Sequence, residues 1–263
     1  MDETDILRRH LVAQGIVRQA GQQAASQYRR RDELAVERKG TQDLVSEADR
    51  ACEDAIVGAL SVCFPDDSFL GEERGLQNEG GDAVWIIDPI DGTANFLRGI
   101  PIWCVSLGLM VRGEPMAGII YNPVTEEFYS ATKGRGALLN GKPIAVSKAA
   151  SLDEARIGVG FSYRRPIDPH LAGIKACLEA HCEYSRLGSG ALGLAQTADG
   201  RFEGYWEQHI NMWDVAAGIV IVREAGGYVN DFLANDGFNE GNVILAAAPA
   251  LAPALRELLL HQH

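Results

Sequence analysis

Asp88 and Asp91 stand three residues apart in the stretch WIIDPIDGTANF, with Pro89 and Ile90 between them and Gly92 and Thr93 directly after. A D-P-x-D spacing lets the chain reverse and aim two carboxylates, with the Ile90 main-chain carbonyl, at one point. That is an all-oxygen donor set of the kind a hard cation such as Mg²⁺ accepts. Asp88 follows an apolar run at its carboxyl end, where α/β folds place ligand sites, and Pro89 stiffens the turn expected there. Gly92 permits close backbone approach, and amides at a helix start there can hold an anion, so a phosphate could lie against metal and amides together. A plainer reading stands beside this one: D-P and D-G pairs are ordinary turn formers whose Asp side chains bond their own backbone.

Further acids lie elsewhere in the chain. FLGEER places Glu72 and Glu73 after an apolar pair and a glycine, upstream of the strand that leads to Asp88. NMWDVAAGIVIVREAGG opens a helix at Asp214, which could equally be a first-turn acid favoured by the helix dipole. KGTQDLVSEAD supplies Lys39, Asp43 and Asp49, the last also fitting the S-x-x-D capping box that begins at Ser46. The six histidines are scattered, and carboxylate suits Mg²⁺ better than imidazole.

These residues need a scaffold. Ile6, Leu7, Leu11, Val12, Ile16, Val17 and Ala20 recur at helical spacing and predict one long amphipathic helix over 5–28. A second helix begins after Ser46 and ends at Pro65. From 80 to 146 the runs AVWII, WCVSLGLMV, PMAGIIY and EFYSA, separated by Gly, Asn and Pro, predict a sheet built largely of hairpins. After about Ala150 strands and helices alternate: ARIGVG, helix 168–181, CEYSR, helix 189–199, FEGYWE, helix 213–224, NVILAA, helix 249–261. The shift of texture near 145–152 carries no Pro- or Ser-rich linker, so two closely packed lobes, 1–147 with most of the acids and 148–263 with Asp214, are expected to share a cleft.

Lys and Arg total 24 against 36 for Asp and Glu, a formal charge of −12, which argues against a basic face for nucleic acid and predicts no direct nucleic-acid partner. Five dispersed cysteines without C-x-x-C spacing indicate neither a disulfide framework nor a zinc knuckle and fit a reducing cytoplasm. MDETDILRRH has no apolar export core and no run approaches a membrane span, so neither secretion nor a membrane partner is expected. No Ser-His-Asp order, catalytic-cysteine motif or G-x-x-x-x-G-K-[ST] loop competes with the acids.

With GEE at 71–73, DPIDGTANF at 88–96, GSGALGLA at 188–195 and WDVAAG…EAGG at 213–227, in order and over nearly the whole chain, the sequence resembles the lithium-sensitive, Mg²⁺-dependent inositol monophosphatase family. The resemblance implies an α+β fold, a layered αβαβα sandwich with mixed sheets, commonly as a homodimer. It implies two to three Mg²⁺ ions: one on Glu72, Asp88 and the Ile90 carbonyl, a second on Asp88, Asp91 and Asp214, and a weaker third on Glu72 with Lys39, Asp43 and Asp49 in support. Glu72, Asp91 and Thr93 would be the catalytic group, with the Thr93 hydroxyl orienting the attacking water and the amides of Gly92 and Thr93 meeting the phosphate.

Gly188, Ser189, Gly190, Glu207 and Asp214 match positions that meet the hydroxyls of a sugar-like ring, although Gly190 stands where the family commonly has alanine. The implied reaction is hydrolysis of a small phosphate monoester, myo-inositol monophosphate first among them. Paired divalent ions roughly 3.5–4 Å apart supply what that reaction needs: a neutral-pH nucleophile, charge neutralisation and leaving-group stabilisation. Histidinol phosphate, fructose 1,6-bisphosphate, a 3′-phosphoadenosine nucleotide or an additional regulatory binding role remain alternatives.

Overall fold

The computed structural model describes every residue except 41, 42, 164 and 261–263, with the backbone alone for 38–40 and 43–45. The chain opens with α1 (Glu3–Arg29), a hairpin of β1 (Val36–Gly40) and β2 (Asp43–Ser46), and α2 (Glu47–Cys63). Then come β3 (Ser68–Gly71), β4 (Gly75–Gln77), β5 (Ala83–Asp91), α3 (Thr93–Arg98), β6 (Cys104–Val111), β7 (Glu114–Asn122), β8 (Glu127–Thr132), β9 (Ala137–Leu139) and β10 (Lys142–Pro143). The remainder alternates: β11 (Arg156–Val159), α4 (Ile167–Glu179), β12 (Glu183–Ser185), α5 (Gly190–Ala198), β13 (Gly204–Ile210), α6 (Met212–Glu224), β14 (Tyr228–Val229), α7 (Gly237–Glu240), β15 (Asn242–Ala247) and α8 (Ala252–Leu260).

Two mixed sheets and the helices stack in five layers. In the larger sheet, ordered β10-β9-β8-β7-β6-β5-β3-β4, the segment β5 to β10 is the expected antiparallel meander, while β3 lies parallel to β5. The smaller sheet, ordered β12-β11-β13-β15-β14, has a parallel core of β12, β11 and β13 with β15 antiparallel beside it. Helices α1 and α2 cover one face of the larger sheet, α5 and α6 fill the space between the sheets, and α4 and α8 cover the outside of the smaller one. The predicted αβαβα sandwich is the fold observed.

The strand that carries the acids is firmly anchored. Trp85 and Ile87 point into the α1/α2 core and Ile86 into the core between the sheets, as period-two alternation requires. The Trp85 indole donates to Asp67 at 2.9 Å, and Arg9 of α1 clamps the same carboxylate with two bonds of 2.9 and 2.8 Å. One local expectation fails. Asp88 is not followed by a turn: β5 runs on through Asp91, and its register against β6 shifts between Asp88 and Asp91. Pro89 and Ile90 form a bulge, a place where a strand tolerates a residue without an N–H and where side chains are re-aimed.

Candidate metal centre and substrate cleft

Three stretches far apart in the chain deliver acids to one place. Parallel pairing sets Gly71 beside Ile87, and the Glu72 amide donates to the Ile87 carbonyl at 3.1 Å, so Glu72 emerges next to Asp88. The bulge turns Asp88 and Asp91 to one side, and Asp214 arrives from the first turn of α6. One carboxylate oxygen from each of Asp88, Asp91 and Asp214 lies within 4.8 Å of the others. Asp88 and Asp91 are buried and Asp214 is half-buried.

Local hydrogen bonds hold these carboxylates. Asp88 Oδ1 accepts the Ile90 amide at 3.0 Å. Asp91 is gripped from the start of α5: Ser189 Oγ donates at 2.5 Å, the Ala191 amide at 2.7 Å and the Gly190 amide at 3.2 Å. Asp214 Oδ2 accepts the Asn211 amide at 3.0 Å, the capping contact the sequence allows. The capping reading of Asp49 holds on one oxygen, and the other faces Thr93. Oδ2 caps α2 through the Ser46 amide and hydroxyl at 2.8 and 2.6 Å, while Oδ1 accepts the Thr93 hydroxyl at 2.9 Å.

Burial pushes the Asp88 carboxyl well above the usual carboxylate range, and the negative charges of Glu72, Asp91, Asp214 and Asp49 push the same way. Asp91 is also raised by burial, against the opposing pull of the hydrogen bonds from Ser189, Ala191, Gly190 and Cys104. Among the described residues no ion pair involves either acid. Buried like charges with oxygen donors only are the setting a divalent cation neutralises, so the residues present fit Mg²⁺.

The acids border a cleft of about 500 Å³ whose lining includes Glu72, Asp91, Gly92, Thr93 and Asp214 together with Gly188, Ser189, Gly190 and Glu207. Gly92, with φ of +97°, caps α3 in the left-handed region, and a side chain there would meet the Ile102 carbonyl at 2.9 Å. The Thr93 hydroxyl lies 3.0 Å from the Ile90 carbonyl as well as beside Asp49. Of the residues expected at the alcohol pocket, Glu207 faces the cleft, whereas the Ser189 hydroxyl and the Gly190 amide are engaged with Asp91. The side chains of Lys39 and Asp43 lie outside the described residues.

Gly190 has a physical reason to depart from alanine. A methyl group there would stand 2.7 Å from Ile210 Cδ1 and 3.4 Å from Tyr205 Oη. Other contributors escape a reading by sequence. Asn95 ties α3 to two loops, its amide donating to the Ile102 and Leu187 carbonyls at 2.8 and 2.9 Å. His209, Phe161 and Arg186 also line the cleft, with a His209 ring nitrogen 3.0 Å from the Glu240 carbonyl.

Glu53, fully buried on α2, accepts the Glu73 and Arg74 amides at 2.9 Å each and so pins the turn that presents Glu72. Position 53 lies one turn beyond Asp49 on the same helix face, but that spacing does not show which amides the carboxylate holds. Glu53→Ala leaves two amides unsatisfied and opens a void, so it is expected to lower stability by about 2–4 kcal/mol in urea unfolding. A loss below about 0.5 kcal/mol would show that the turn does not depend on this carboxylate.

The sequence pattern of the inositol monophosphatase family matches residues 8–262. The chain belongs to the inositol monophosphatase family. It is 38% identical over 239 residues to the inositol-1-monophosphatase of Mesorhizobium japonicum, covering 90% of each chain, and 37% identical over 242 residues to the Nus factor SuhB of Pseudomonas aeruginosa, covering 89% of each. The crystal structure of the extragenic suppressor protein suhB from Bartonella henselae superposes with a TM-score of 0.90 at 35% identity, over 98% of this chain and 100% of that one. Membership in the inositol monophosphatase family supports a metal-dependent phosphatase. The relatives named Nus factor leave the expectation of no nucleic-acid partner without support. Among the described residues no helix is long and apolar enough to cross a membrane.

Proposed function

We propose that the protein is a Mg²⁺-dependent phosphomonoesterase of small polyol phosphates, with myo-inositol monophosphate as the substrate that suits it best. The observation that carries this reading is the meeting of Asp88, Asp91 and Asp214 within 4.8 Å, at a cleft that Glu72 and Glu207 also line. Glu72, Asp88 and the Ile90 carbonyl would hold one ion, Asp88, Asp91 and Asp214 another, and Glu72 with Lys39, Asp43 and Asp49 a weaker third. Bound Mg²⁺ would supply a water acidic enough to attack at neutral pH and charge neutralisation on the phosphoryl oxygens.

The remaining work falls to the chain. Thr93 Oγ1 carries one hydrogen, which Asp49 Oδ1 can accept at 2.9 Å. Its lone pairs are then left to accept a hydrogen bond from the attacking water, with Thr93 and Asp49 orienting that water opposite the leaving group. The amides of Gly92 and Thr93 border the space for the phosphate, and Glu207 that for the ring hydroxyls of the alcohol. Asp214, at the join, would touch both metal and substrate.

We read the chain as two lobes, 1–147 and 148–263, because the larger sheet falls within 68–143 and the smaller within 156–247. Homodimer formation and lithium inhibition, both carried from the family, complete the proposal with the cytoplasmic site of action that the dispersed cysteines suggest. An additional binding role is favoured by one observation, the 37% identity to a protein named Nus factor SuhB.

A panel of phosphomonoesters with free phosphate as readout tests the function. Inositol phosphate is expected to outrun histidinol phosphate, fructose 1,6-bisphosphate and 3′-phosphoadenosine nucleotides, release is expected to stop in chelator, and Mg²⁺ is expected to restore it. Full activity in chelator would overturn the metal dependence. A clear preference for another ester would overturn the substrate.

A further inference from the structure

Tyr205 and Glu207 lie two residues apart on β13 and so point to the same face of the strand, toward α5, while Trp206 between them turns outward to the α4/α8 core. The Tyr205 ring is 3% exposed and sits where four glycines leave room for it. Gly158 and Gly160 come from β11 and its end, Gly190 and Gly193 from the first turn of α5. A methyl group on Gly193 would overlap the ring, one on Gly158 would stand 2.8 Å from Cδ2, and one on Gly160 would overlap both the Tyr205 hydroxyl and the Glu207 carboxylate. Inside this enclosure the Tyr205 hydroxyl donates to Glu207 Oε2 at 2.7 Å.

A buried phenol satisfies its hydroxyl where it can, and here the chosen acceptor is a carboxylate that lines the substrate cleft. A glutamate side chain has three torsions to fix. A strong bond from a closely packed ring restricts that freedom before a ligand arrives. We infer that Tyr205 is a positioning residue for substrate recognition: its hydroxyl holds Glu207 in the orientation that meets a ring hydroxyl of the leaving alcohol, and the surrounding glycines are the backbone's accommodation of that pair. The inference rests on the reading of the cleft as a polyol-phosphate site.

Tyr205→Phe keeps the ring and removes only the hydroxyl. The measurement compares kcat/KM for myo-inositol 1-phosphate with that for 4-nitrophenyl phosphate, whose leaving group has no ring hydroxyls. The ratio is expected to fall about tenfold, carried by KM for the polyol ester with kcat within about twofold. Gly160→Ala, which crowds both partners of the Tyr205–Glu207 bond, is expected to lower the same ratio, and melting temperatures verify that each variant is folded.

An unchanged ratio in folded Tyr205→Phe, or a parallel loss on both esters, would overturn the role of Tyr205 whatever becomes of the glycine variant. The reading beneath it fails separately: a parent protein that hydrolyses both esters without preference has no polyol recognition for Tyr205 to serve.

Discussion

Asp91→Asn is expected to lower phosphate release by on the order of a thousandfold or more while leaving the protein folded. The asparagine keeps one oxygen, enough to accept the Ser189 hydroxyl and the Ala191 amide that now hold Asp91 at 2.5 and 2.7 Å. Its nitrogen then faces the Gly190 amide in place of the long 3.2 Å bond, a loss of about 1 kcal/mol. Opposing that loss, one of the negative charges that raise Asp88 disappears. Folding is therefore close to neutral, whereas a neutral amide is a poor ligand for a hard divalent ion. The check is a pair of measurements on one preparation, phosphate release under saturating Mg²⁺ and a thermal melt. Near-normal turnover would remove Asp91 from the metal centre. A collapsed melting temperature would recast it as a structural clasp between β5 and the start of α5.

What could be read from sequence divides along the range of the interactions involved. The capping box of Ser46 and Asp49 and the long helix α1 depend on residues a few positions apart, and both are found where spacing places them. The hairpin β1–β2 went unread because VERKG carries three charges and no alternation. The bulge at Pro89 was mistaken for a turn for a different reason: D-P opens both structures, and only the pairing of Asp91 with Cys104 of the neighbouring strand tells them apart.

Long-range relations were legible only through resemblance. No spacing rule links Glu72 to Asp88 or Asp88 to Asp214; parallel pairing of β3 with β5 and the docking of α6 between the sheets do so. The hydroxyl of Ser189 has a relation that its motif does not announce, a hydrogen bond to Asp91. Glu53 and Tyr205 belong to no motif. Their function lies in what they hold, and that is visible only once a neighbour's amide or carboxylate is in place.

Raising the pH is expected to destabilise the chelator-treated protein, and Mg²⁺ is expected to stabilise it more at high pH than at low. Asp88 has the decisive group, since burial and then the charges of Glu72, Asp91, Asp214 and Asp49 raise its carboxyl. A folded-state pKa above the unfolded one means that the native state binds more protons between the two values. Stability is then fully present below the ordinary carboxylate range of about 4 and is lost as pH rises through the raised value. Asp49, Asp91 and Glu53 are raised by burial too and contribute with the same sign. In chelator, the melting temperature should fall by at least about 5 °C between about pH 5 and pH 8. Protons and Mg²⁺ compete for the same carboxylates, so the ion's effect should grow over that interval. Asp88→Asn removes the largest single contribution; it should be inactive, yet melt above the parent in chelator at the upper end. A melting temperature that climbs with pH in chelator, or an Mg²⁺ increment equal at both ends, would mean that the buried acids are not the charge the metal is there to neutralise.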